Sequence, residues 1–137
     1  MIQVMPNLHF NGNCKQAIEL YEKAYGAEVK ALIRYADANP QDFIVNDENK
    51  GDWVYHSEII IGNHRLMLND WIDDDFQTGN ALSLLVHFDT EDECKKAYRI
   101  IAEEGATIIS PMESQTYCAC FASLMDKYGV RWDLMAG

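Results

Sequence analysis

A chain of 137 residues, 48% hydrophobic and 24% charged, is long enough to bury a core and too apolar to read as disordered. Its net charge of −11, from 22 acids against 11 Lys plus Arg, repels phosphate backbones, so nucleic acid is excluded as an expected partner and cationic ligands are favoured. Met1-Ile2-Gln3-Val4-Met5-Pro6 has no basic segment or long apolar run, and stretches such as Ile59-Ile60-Ile61 are far too short to span a bilayer. These features predict a cytoplasmic location and no membrane partner.

Residues 8–29 read LHFNGNCKQAIELYEKAYGAEV, and residues 86–108 read VHFDTEDECKKAYRIIAEEGATI. Both pass through His-Phe, a polar turn, Cys-Lys-x-Ala, an amphipathic stretch and a Gly-Ala restart, and this common order indicates a duplication. In the first copy Asn13 is the expected N-cap. Ala17, Ile18, Tyr21 and Tyr25 form the apolar helix face, and Gly26 ends it. Residues 27–35 and 53–61 follow as strands. Gly62-Asn63 then turns into a further strand at 64–68. Residues 37–52 form a polar loop of the length that often serves as a lid.

Residues 70–80, with Asp73-Asp74-Asp75, read as an exposed acidic linker between module 1 (about 1–70) and module 2 (about 80–137) of one domain. In the second copy Thr90-Glu91-Asp92-Glu93 is a capping box. Thr90 is its N-cap, and Glu93 is placed to reach back. Cys94, Ala97, Tyr98 and Ile101 form its apolar face, and Gly105 is the C′ residue. Strands are predicted at 107–112, 117–125 and 130–134, the last two joined by a turn through Asp126-Lys127-Tyr128-Gly129. The fold class is therefore α+β: two tandem βαβββ modules. The four cysteines, Cys14, Cys94, Cys118 and Cys120, lack metal-binding spacing and are expected as reduced, partly buried thiols.

With the elements placed, several pieces carry a resemblance. They include Pro6-x-Leu8-x-Phe10-Asn11-Gly12-Asn13-Cys14, Gly26-Ala27-Glu28-Val29, His56-x-Glu58-x-x-Ile61-Gly62 and Asp126-Lys127-Tyr128-Gly129-Val130-x-Trp132. In this order the chain resembles the PhnB-like branch of the vicinal-oxygen-chelate (glyoxalase, bleomycin-resistance and dioxygenase) superfamily. That branch is often labelled 3-demethylubiquinone-9 3-methyltransferase-like. The resemblance implies curved mixed sheets around a cleft, a homodimer, and in the superfamily's enzymes a divalent metal held by His or Glu on the first and last strand of each module. Carried over through the repeat, those ligand positions fall at Met5 (or Pro6), Met67, Ser83 and Asp133. Only Asp133 is a good ligand for a hard cation, so no metal and no other cofactor is expected. A rearranged metal site using His9, His56, Glu58 or Asp133 is the alternative.

Two functions follow. The first is a metal-independent protein binding a small cationic or aromatic molecule, with His9, His56, Glu58, Met67, Trp71, Ser83 and Asp133 lining its cleft. The aromatics Tyr35, Phe43, Trp53, Tyr55, Trp71, Phe76 and Tyr117 are available to it, with Trp71 and Phe76 foremost. Tyr21, Phe88, Phe121 and Trp132 are assigned to the core. The second is a divergent lyase, isomerase or dioxygenase of the same superfamily, metal-dependent or acting by acid–base chemistry. Asp133 and Glu58 would then be the acids, with His56 or His9 as base. No phosphate-binding loop, dinucleotide fingerprint, G-x-S-x-G, H-E-x-x-H or S-adenosylmethionine-type glycine turn competes with these readings.

Overall fold

The computed structural model describes residues 1–137, apart from the side chain of Glu48. It divides into two compact units, Met1–Phe76 and Gln77–Gly137, with the same element order. Module 1 runs β1 (Asn7–Phe10), α1 (Cys14–Tyr25), β2 (Glu28–Arg34), β3 (Val54–Ile61) and β4 (His64–Asp70). Module 2 runs β5 (Leu84–Phe88), α2 (Glu91–Glu103), β6 (Thr107–Glu113), β7 (Cys120–Met125) and β8 (Arg131–Ala136). The sheet orders are β1-β4-β3-β2 and β5-β8-β7-β6, each with one parallel pair at its first strand and antiparallel pairs elsewhere. This is the α+β arrangement of two tandem βαβββ modules expected from the repeat, and the architecture that the resemblance to the vicinal-oxygen-chelate superfamily implies. Neither helix is long and apolar enough to cross a membrane.

In each module the helix covers one sheet face and leaves the other open. Ala17, Ile18, Leu20 and Tyr21 of α1 are buried with Phe10, Val54, Ile59, Leu66 and Leu68 of the strands. Cys94, Ala97 and Ile101 of α2 are buried with Ala122, Leu124, Trp132 and Leu134. Each large side chain so buried contributes about 1.5–3 kcal/mol. Tyr21 and Trp132 are core residues as expected, but Phe121 is not. It alternates with the buried Cys120 and Ala122, so it projects from the open face and packs on Tyr117, 6.4 Å between ring centres.

Thr90 caps α2 as expected, and the other helix-start contacts differ from expectation. Asn13 occupies the N-cap position of α1, but its side chain makes no capping hydrogen bond. The capping acceptor is Asp70, which the sequence places at the head of an exposed linker. Asp70 is instead the last residue of β4 and 1% exposed. Its Oδ1 accepts from the Gly12 and Cys14 N–H groups (2.9 and 3.0 Å), and its Oδ2 accepts from Val54 N–H (2.8 Å). Burial pushes this carboxyl above its ordinary range, against the downward pull of the three N–H donors. Glu93 of α2 does not reach back to the backbone. Thr90 Oγ1 accepts from Glu93 N–H (3.2 Å) and donates to the Glu93 carboxylate (3.0 Å).

Gly12 is needed twice over. Its φ is +90°, and a Cβ there would lie 2.7 Å from the Trp53 ring. The hairpin turn after β7 is built by Asp126, 4% exposed. Its carboxylate accepts from the Tyr128 and Val130 N–H groups and from Trp132 Nε1, at 2.9, 3.1 and 2.9 Å. The conspicuous Asp126-to-Trp132 motif therefore holds a turn together. The predicted 117–125 strand begins only at Cys120, which leaves Cys118 before it, and β4 and β8 run two residues further than predicted. All four cysteines are free and buried.

Candidate functional site

The open face of the module 1 sheet is built by strand alternation. The buried residues Ser57, Ile59, Leu66, Leu68 and Asp70 face α1, so His56, Glu58, Met67 and Asn69 face the other way. Register sets them in rows. His9 of β1 pairs with Asn69 of β4, and Asn7 pairs with Met67, which in turn pairs with Glu58. Tyr55 is an extra residue opposite β2: Ile33 pairs with His56 and Arg34 with Val54. This bulge turns the Tyr55 ring to Tyr35 and Phe43, at 5.4 and 5.9 Å.

The result is a hollow of about 270 Å³ lined by Asn7, His9, Tyr55, His56, Leu68 and Asn69. Its imidazoles are held by hydrogen bonds. His9 Nδ1 meets Asn69 Oδ1 at 2.5 Å, and Trp71 stands edge-on to the His9 ring at 5.4 Å. His56 Nε2 meets Glu58 Oε2 at 3.1 Å, while Arg65 donates to the other Glu58 oxygen at 3.1 Å. Trp71 is itself oriented by donating from Nε1 to Asp75 (2.7 Å). The segment after β4 is thus tied back to module 1 and is not a free linker. Lys50 adds to this, donating to the Ile72 carbonyl (2.8 Å) from above the Trp53 ring (4.8 Å), so the 37–52 loop is anchored at its end.

His9, His56 and Glu58, three of the residues singled out in the sequence, therefore share one face, with Met67 in the next row. Trp71 borders it, and Phe76 makes no ring contact there among the described residues. Asn69 and Arg65 were missed. Asn69 continues the alternation from Met67, a signal lost by ending β4 at Leu68. His64 is exposed beside its turn.

In module 2, Leu85 of β5 pairs with Asp133 of β8 just as Asn7 pairs with Met67, so Met5 and Ser83 are equivalent positions, as are Met67 and Asp133. Ser83 Oγ donates to Asp133 Oδ2 at 2.7 Å. Two thioethers, one hydroxyl already spent on the carboxylate, and that single carboxylate do not fit a hard divalent cation. Among the described residues, no three His, Cys, Asp or Glu side chains are grouped to hold a metal ion.

Residues 2–135 match the family model described as 3-demethylubiquinone-9 3-methyltransferase. The chain belongs to this family. Within the vicinal-oxygen-chelate superfamily this is the PhnB-like branch. The chain is also similar to protein YjdN of Escherichia coli K12, 24% identical over 133 residues, covering 93% of this chain and 90% of that one. A PhnB protein from Bacillus cereus, 26% identical, superposes with a TM-score of 0.81 over 99% of this chain and 100% of that one. PA1353 from Pseudomonas aeruginosa, 24% identical, gives 0.86 over 99% and 98%. The fold extends to the fosfomycin resistance protein FosX of Listeria monocytogenes, 13% identical, TM-score 0.62 over 100% and 95%.

Proposed function

We propose that this protein binds a small cationic, aromatic molecule on the open face of its module 1 sheet, without a metal. The observation that carries this reading is the hollow whose two imidazoles are each fixed by a hydrogen-bonding neighbour and flanked by the Tyr55 and Trp71 rings. Fixed polar groups beside aromatic walls are what a small-molecule site needs. The net charge of −11 favours a cation.

The family's description names a methyltransferase, and FosX is named for fosfomycin resistance. At the start of α1 the Cys14 N–H is taken by Asp70, and at the start of α2 the Glu93 N–H is taken by Thr90.

The test is Trp fluorescence titrated with cationic aromatic compounds, alongside elemental analysis of the purified protein. Saturable quenching is expected, weakened about tenfold by His56→Phe as charge-assisted contacts are lost. One tightly held metal per chain, abolished by Asp133→Ala, would overturn the proposal. A second reading rests on the His56–Glu58 pair, in which a carboxylate orients an imidazole as in proton-transferring enzymes. In that case His56→Phe abolishes turnover while leaving ligand affinity intact.

A further inference from the structure

The hydrogen bonds that fix the two imidazoles also fix where their protons sit. Asn69 Nδ2 donates to the Asp70 carbonyl (3.3 Å), which leaves the amide oxygen, a pure acceptor, facing His9. The neutral His9 ring must then carry its proton on Nδ1, leaving a lone pair on Nε2. At His56 the Glu58 carboxylate is the acceptor, so that ring carries its proton on Nε2 and a lone pair on Nδ1. Neither of those lone-pair nitrogens has a hydrogen-bond partner among the described residues. No Lys or Arg lines the hollow to donate to them.

We infer that the hollow is an acceptor site: it selects cations that carry N–H donors, such as amidinium or primary ammonium groups, over cations without them. The inference rests on the proposed cation-binding role and sharpens it. Charge and aromatic walls alone would suit a quaternary ammonium equally well. Two imidazole acceptors reward only a cation that can donate, and they repel a carboxylate, which brings further acceptors.

The first measurement needs no ligand: imidazole nitrogen chemical shifts of the ¹⁵N-labelled full chain. His9 is expected in the Nδ1–H form, the minor form of free imidazole side chains, and His56 in the Nε2–H form. Asn69→Leu should release His9 to Nε2–H, and Asn69→Asp, which keeps the acceptor, should restore Nδ1–H. A His9 proton on Nε2 in the unmodified chain overturns the inference.

The second measurement compares benzamidinium, benzyltrimethylammonium and benzoate by calorimetry. Benzamidinium is expected to bind on the order of tenfold or more tightly than the quaternary cation, with benzoate silent. Asn69→Leu should narrow that gap, and Asn69→Asp should restore it. Equal binding of the two cations overturns this inference and leaves the binding role standing. Binding of neither cation overturns both.

Discussion

Helix α2 begins on a cap one residue away, Thr90, whereas α1 begins on a cap supplied by Asp70 from the far end of β4. The same contrast runs through the modules' open faces. Module 1 presents two imidazoles, each held by a neighbour, in the row of His9 and Asn69, where module 2 has His87 and Met135; the Asp133 that is bound to Ser83 stands one row over, at the position of Met67. A duplicated fold has thus kept its strand order and register while changing what the strands hold in place. The difference has an energetic consequence: α2 can start from its own sequence, but α1 is completed only once β4 is in the sheet.

Asp70→Ala should therefore be the most damaging single change. It strands the Gly12, Cys14 and Val54 N–H groups in a buried site, and the loss is about 3–5 kcal/mol when each unsatisfied donor costs 1 kcal/mol or more. Urea unfolding measures it. A loss no larger than that of an exposed cap would end the claim that α1 depends on a distant acceptor.

The same carboxylate gives a smaller, pH-dependent effect. Burial raises its folded-state value above the ordinary one near 3.8, so the folded protein binds the proton more readily than the unfolded chain. The stabilisation tied to that proton is fully present below the unfolded value and is lost as pH rises through the folded value. Stability relative to Asp70→Asn should accordingly grow on acidification from neutrality and level off below the ordinary carboxylate range. Unfolding free energies of the two proteins across that window check the sign, and a difference that shrinks on acidification contradicts it.

These two residues also show which parts of the molecule could be read in the sequence. Thr90 and Glu93 stand three apart, so the start of α2 is written locally, and so are the Gly26 stop and the alternation that sets His56 and Glu58 on one face. Asp70 sits at the head of an acidic run that continues through Asp73, Asp74 and Asp75, which reads as solvated. Only its partners Gly12, Cys14 and Val54, 16 to 58 residues away, make it a buried cap. Phe121 fails for the opposite reason. A phenylalanine in a strand reads as core, but the neighbours Ala122 and Leu124 take the helix-facing positions. At the site, His9 and His56 are legible as side chains, but their proton positions are not. Those depend on Asn69 and on how its amide is turned by the Asp70 carbonyl.

Thr90→Ala supplies the other half of the comparison. Its side chain satisfies one N–H, that of Glu93, at an exposed helix start where water can replace it. The expected cost is about 1 kcal/mol, the ordinary value for an N-cap. It should fall on α2 alone, and amide exchange can localise it: faster exchange confined to the first turn after Thr90, with α1 unchanged. Asp70→Ala should instead accelerate exchange at the start of α1 and along β3 from Val54, because one carboxylate serves both elements. If the two variants loosen the same amides to the same degree, the modules do not differ in how their helices begin, and the α1 start is as local as that of α2.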